Sequence, residues 1–209
     1  MSAALILHED PISANCYKIR LTAALLGLPL ARRAYDIRKG DTRKPEFLRD
    51  ISPVGSIPVL QVGEGADARF LPESNAACWF LAEGSRLVPQ DRFERAETLR
   101  WMFFEQYSHE PNVATLRFWL AFVGEANLSA ERRGQIALKR QYGEEALALM
   151  DRHLAGRDWF VGNAPSLADL VLYAYTHVAE EGGFALAGLG HLRGWLGRVA
   201  GLDGYVGMD

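Results

Sequence analysis

Two short segments of this chain combine residue types that suit a ligand with a peptide backbone and a carboxylate, and a third sets a hydroxyl at a helix start. Ser52-Pro-Val-Gly-Ser-Ile-Pro-Val-Leu60 puts a proline at the mouth of a strand. Pro58 has no N–H to give to a sheet ladder. An Ile-Pro bond just before a strand is a site for a cis peptide, which would turn the N–H and C=O of Ile57 towards a ligand. Leu71-Pro-Glu-Ser-Asn75 then places Glu73 and Ser74 at a strand-to-helix junction. A helix start presents unsatisfied N–H groups and the positive end of the dipole, which suits a carboxylate. Ser13-Ala-Asn-Cys16 precedes the first helix of the chain. A serine hydroxyl there can donate to a thiolate, and the dipole favours the ionised sulfur. Ser13 also reads as an ordinary N-cap, since Ser, Asn and Asp are preferred there for structural reasons alone.

These segments need elements to hold them. Residues 3–7 read as a buried strand, 15–27 as a helix with a Gly-Leu-Pro exit, and 31–36 as a second strand. Pro45-Glu-Phe-Leu-Arg reads as a helical turn. Residues 58–62 and 68–71 read as two strands with Gly63-Glu-Gly65 between them, a hairpin signal. A helix over 73–83 follows. The order βαβ, short helix, ββα has one parallel crossover and one hairpin, which suits a four-stranded mixed sheet. It is the order of a thioredoxin-like domain. Residues 85–90 read as a linker between a domain at 1–84 and a second at 91–209. The second shows only helical patterning: 91–123, interrupted at Pro111, where a kink or split is expected, then 128–154 starting at Ser129, a helix opened by Pro165-Ser166-Leu-Ala-Asp169, and one over 190–199. The expected fold class is therefore α+β followed by all-α.

Composition excludes several classes. The chain has 209 residues and a net charge of −3, so no bulk attraction to nucleic acid or anionic membrane is implied. No apolar run approaches the roughly 18 residues of a membrane span. The start lacks a basic n-region and turns acidic, unlike a signal peptide. The expected location is the cytoplasm. Cys16 and Cys78 suggest no disulfide framework and read as packing residues. The five histidines, 8, 109, 153, 177 and 191, show no metal-ligand spacing, and no metal is expected. No phosphate-binding loop, nucleophile elbow or dinucleotide fingerprint is present.

The pairing of Ser52–Leu60 with Leu71–Asn75, and the order of domains, resembles the cytosolic glutathione transferases, in particular their bacterial serine-type and Nu-like classes. The resemblance is strong over 11–20 and 52–81 and weaker beyond. It implies a thioredoxin-like domain that binds glutathione as co-substrate, an all-helical domain, and a homodimer that sets the small domain of one subunit against the helical domain of the other. In those classes a Ser or Thr near the helix start, or an Asn two residues on, contacts the glutathione sulfur, so Ser13 and Asn15 become the catalytic candidates. No tyrosine occupies the first strand or its loop, which disfavours the tyrosine-type classes. Cys16 follows the second position of the Cys-x-x-Cys of glutaredoxin-like relatives, where Ser13 replaces the nucleophile.

The same resemblance assigns glutathione-binding roles to Lys44, Ile57, Pro58, Glu73 and Ser74. Lys44 would meet the glycine carboxylate and Ile57 the peptide backbone. Ser74 would hold the γ-glutamyl carboxylate, and Glu73 the ammonium or adjacent backbone. Ser56 departs from the pattern, where glutamine or lysine is common. Ser166 and Asp169 match the family's buried capping box, whose role is folding. In the first helix of the second domain, Phe104, Ser108, Pro111, Asn112 and Thr115 fall at helical spacing with Tyr107 on the edge. The resemblance makes Phe104, Tyr107, Ser108 and Asn112 candidates for the electrophile pocket. The implied activity is conjugation of glutathione to a small electrophile. Two alternatives stay open: a Nu-like glutathione-dependent disulfide oxidoreductase in which Asn15 matters more than Ser13, and a non-catalytic binding or scaffold protein.

Overall fold

A computed structural model describes residues 3–208, so the expected domain ends at Met1 and Asp209 lie outside the described residues. The chain divides into two compact units, residues 3–85 with 203–208, and residues 86–202.

The first unit is built on four strands: β1 (Leu5–Glu9), β2 (Ala31–Ala34), β3 (Val59–Val62) and β4 (Arg69–Pro72), in the spatial order β2-β1-β3-β4. β1 runs parallel to β2 and antiparallel to β3, and β3 pairs antiparallel with β4. The two central strands are buried, apolar but for His8, Glu9 and Gln61, whereas β2 at the edge is exposed throughout. Register settles where the ligand-type segments go. His8 pairs with Val59, Val59 with Pro72, and Glu9 with Ala34. The exit of β1, the entry of β3 and the exits of β2 and β4 therefore share one end of the sheet.

Helix α1 (Ala14–Leu25) starts one residue before its expected boundary, with Ser13 as N-cap. It closes on Gly27, whose φ of +64° lets Leu28 N bond to Ala23 O at 2.9 Å. Helix α2 (Pro45–Asp50) opens with its proline where no N–H is needed. Helix α3 (Ser74–Ala82) packs on α1. The last residues, which sequence reading placed with the helical domain, pack instead in the first unit. Tyr17 Oη donates to Val206 O at 2.8 Å, and Arg20 Nη2 to Met208 O at 2.7 Å.

The second unit carries α4 (Arg92–Phe104), α5 (Glu110–Arg117), α6 (Ala130–His153), α7 (Leu167–Thr176) and α8 (Gly190–Ala200). The expected interruption near Pro111 takes the form of a π-turn at Glu105–His109, after which Pro111 falls at the start of α5. A second π-turn covers Phe118–Val123. Trp101, Phe160 and Trp195 stack edge-on in the core, with centroids 4.7 and 5.0 Å apart. Beside them lies the Ser166–Asp169 capping box. The Asp169 carboxylate accepts from Ser166 N, Phe160 N and Trp195 Nε1. Its burial pushes its pKa up, against the pull of those donors.

Candidate functional site

The β1–α1 connection is held by Asp10, a buried carboxylate that sequence reading passed over. Its Oδ1 accepts from Ile12 N at 3.2 Å, its Oδ2 from Ile37 N at 3.0 Å, and its carbonyl from Ser13 N at 3.0 Å. This fixes Ser13 at the head of α1, half-exposed. Ser13 Oγ accepts from Cys16 N at 3.4 Å, so the capping role is real. Capping uses only a lone pair of that hydroxyl. Cys16 is fully buried. Burial pushes its thiol up to about 12, although the Ser13 hydroxyl bonded to it pulls the other way. It is a packing residue and carries no thiolate at neutral pH. Cys78 is also buried.

The Ile57–Pro58 peptide is cis. Pro58 is buried and Ile57 half-buried. Neither the N–H nor the C=O of Ile57 makes a backbone hydrogen bond to another described residue. The loop is seated by its neighbours: Arg43 Nη1 donates to Val54 O at 2.9 Å. A Cβ on Gly55, which has φ +68°, would fall 2.9 Å from Thr42 O, so glycine is required there. That contact brings the 42–44 segment against the Pro58 loop. Lys44 itself is exposed, with Nζ 2.6 Å from Asp41 Oδ1. The hydrogen bond to Asp41 raises the Lys44 pKa and lowers that of Asp41. Lys44 also borders a cavity of about 430 Å³ with Arg33, Tyr35 and Phe47.

Glu73 is the residue before α3 and has φ +72°, the one described non-glycine residue with positive φ. That backbone costs about 1–3 kcal/mol for a residue with a Cβ. Its exposed side chain makes no cap hydrogen bond, so capping does not explain it. Ser74 beside it is buried. Ser74 Oγ donates to Asn15 Oδ1 at 3.2 Å and receives a hydrogen bond from Lys18 Nζ at 3.3 Å. The two sequence segments, 13–16 and 73–74, thus meet directly. Lys18 was missed in the sequence. The signal available was spacing: it lies three residues after Asn15 in α1, hence on the same helix face. Glu9 and Arg20, also missed, form a buried ion pair at 3.3 Å under the same helix.

In the second unit, Phe104, Tyr107, Ser108 and Asn112 line one cavity of about 280 Å³ with Tyr142, Glu145, Ala146 and Leu149 of α6. The π-turn supplies Tyr107 and Ser108 to this wall, and Asn112 Nδ2 donates to Ser108 O at 2.8 Å. Among the described residues, no group of three or more His, Cys, Asp or Glu side chains is arranged to hold a metal ion.

Comparison with known proteins agrees with this architecture. Residues 12–83 match the family model for the glutathione S-transferase N-terminal domain, and residues 118–203 match that for the C-terminal domain. A glutathione S-transferase crystal structure from Pseudomonas fluorescens is 42% identical, covering 98% of each chain, with a TM-score of 0.89. A glutathione S-transferase-like protein of Fusarium is 31% identical over 83% of this chain and 79% of its own length. Elongation factor 1-gamma of Artemia salina is 28% identical over 84% of this chain, which spans only 40% of that longer protein. A thioredoxin-like sheet, a helical unit, and both domain models matched in order leave one conclusion: the chain belongs to the cytosolic glutathione S-transferase superfamily.

Proposed function

We propose that the protein is a glutathione transferase that binds glutathione at the sheet end carrying Ser13, Asn15, Ile57, Pro58, Glu73 and Ser74, and conjugates its sulfur to a small electrophile. The observation that carries the reading is the Ser74–Asn15 hydrogen bond, which joins the carboxylate-type segment to the sulfur-type segment. The unused backbone groups of Ile57 suit the cysteinyl peptide. Ser74 and the N–H groups of α3 suit the γ-glutamyl carboxylate, and the exposed Glu73 suits its ammonium. Lys44 suits the glycine carboxylate once it leaves Asp41.

In this mechanism Ser13 O–H donates to the glutathione sulfur and, with the α1 dipole, lowers its pKa. A fall from about 8–9 towards 7 raises the thiolate fraction roughly tenfold at neutral pH. The thiolate then attacks the electrophile, its lone pair forming the new S–C bond as the leaving group departs or the acceptor double bond takes up a proton. We assign the electrophile's apolar body to the cavity lined by Phe104, Tyr107, Ser108 and Asn112. Positioning of the two reactants supplies the remaining acceleration. We also assign a homodimer. Leu99 and Phe103 on α4 and Leu138 on α6 are exposed large apolar side chains outside the electrophile cavity, and they suit such a contact. Light scattering giving the 23.2 kDa monomer at micromolar concentration would count against it.

A second reading rests on Asn15. Its carboxamide oxygen accepts from Ser74 Oγ at 3.2 Å, which holds the side chain at the head of α1 beside Ser13. That suits the Nu-like disulfide oxidoreductase. Ser13→Ala and Asn15→Ala separate the two. The transferase reading expects Ser13→Ala to slow conjugation about 10- to 150-fold, as a hydrogen bond to a charged group lost in the transition state would. Asn15→Ala should do less. The opposite order, with appreciable reduction of a small disulfide by the wild type, would replace it with the oxidoreductase. No turnover of either kind would leave a non-catalytic role.

A further inference from the structure

We propose that Lys18 is a positioning residue for the acidic end of the ligand, acting through Ser74 and setting the preference for a ligand that carries a carboxylate there. The proposal rests on the glutathione reading above. Lys18 is fully buried in α1, yet its ammonium lies 3.3 Å from Ser74 Oγ. An ammonium only donates, so Ser74 Oγ must accept from it. The other Ser74 contact, at 3.2 Å, is to the carboxamide oxygen of Asn15, which only accepts. The single Ser74 proton therefore points to Asn15.

Two consequences follow from that direction. A carboxylate arriving at the first turn of α3 has no proton of its own to share, so it must draw the Ser74 proton away from Asn15. Lys18 makes that exchange favourable. It stays on the Ser74 lone pair, polarises the O–H towards the incoming anion, and places a positive charge on the order of 6 Å from it. The exchange also releases Asn15 Oδ1, so occupation of the acidic end is transmitted to a residue at the sulfur end. Neither effect operates for a ligand that lacks the carboxylate.

The test compares two ligands by calorimetry: glutathione, and its analogue without the γ-glutamyl α-carboxylate. The variants are Lys18→Met, which removes the charge at similar volume, and Lys18→Arg, which keeps it. Thermal melting of each variant reports the fold. The wild type should favour glutathione by about 10- to 100-fold. Lys18→Met should reduce that preference to within about threefold while leaving the analogue's affinity nearly unchanged, and Lys18→Arg should restore part of it. Equal weakening of both ligands by Lys18→Met would mean a packing role only and overturn the proposal, as would an unchanged preference. A wild type that binds glutathione with no preference over the analogue overturns it without touching the glutathione reading. A wild type that binds neither ligand removes both. Should Lys18→Met fail to fold, Lys18→Gln carries the test with the same two ligands: loss of the preference supports the proposal, and an unchanged preference overturns it.

Discussion

Ser74 Oγ lies 3.2 Å from Asn15 Oδ1, across 59 positions of sequence. The bond joins the first turn of α3 to the first turn of α1, and both turns sit at the end of the sheet where β1 and β4 finish. A ligand lying along this edge would meet a hydroxyl and an amide already oriented by the protein. Such orientation reduces the ordering cost of binding.

The first prediction concerns Glu73. Its φ of +72° is strained for any residue with a Cβ, and its side chain caps nothing. Glu73→Gly relieves about 1–3 kcal/mol of strain and adds about 1 kcal/mol of unfolded-chain entropy. The melting temperature should stay level or rise by a few degrees. Glutathione affinity should fall, because the carboxylate is gone. A clear drop in melting temperature would show that the backbone at Glu73 is not strained.

The second concerns Cys16. Burial holds its thiol near 12. Cys16→Ser should retain turnover, and the native wild type should resist a thiol-alkylating reagent at about pH 8 while the unfolded chain reacts. Loss of turnover in a folded Cys16→Ser protein would point to a protein-thiol mechanism.

What sequence reading recovered here was local chemistry. Pro58, Glu73-Ser74 and the Ser13 cap could be placed because proline, a helix start and a capping hydroxyl act within a few residues of themselves. The four-stranded mixed sheet followed from one parallel crossover and one hairpin. Lys18, Glu9, Arg20 and Asp10 escaped because a charged residue reads as solvated until its partner is known, and the partners lie on other elements. The 203–208 segment has no periodicity of its own. Its place is decided by Tyr17 and Arg20, at the far end of the chain. At Pro111 a break was legible, but not that a π-turn over Glu105–His109, just ahead of it, would absorb it.

The third prediction is a pH dependence. His8 is fully buried, with Nε2 on Gln61 Oε1 and Nδ1 on Tyr35 Oη, both at 2.9 Å. Gln61 Nε2 donates to Gly63 O, so its oxygen faces His8 and the imidazole proton sits on Nε2. Burial lowers the His8 pKa from 6.5, although the Gln61 bond opposes it. Between the lowered folded value and 6.5 the unfolded chain binds a proton that the folded chain does not. Stability should therefore fall as pH drops through that window, by at most about 1.4 kcal/mol per pH unit for this residue. His153 and His177 are lowered by burial too and add to the slope. Asp169, raised by burial, has the opposite sign above 3.8. Urea unfolding at about pH 7.5 and about pH 5.5 measures the sum, and the difference between wild type and His8→Gln isolates His8. An identical pH slope in His8→Gln would contradict the assignment.

The most direct measurement of the central claim is calorimetric titration of glutathione into the wild type and into the Glu73→Ala, Ser74→Ala double variant. The account predicts saturable binding by the wild type and at least tenfold weaker binding by the double variant, since two groups that meet ligand charges are lost. Equal affinity of the two proteins would contradict it.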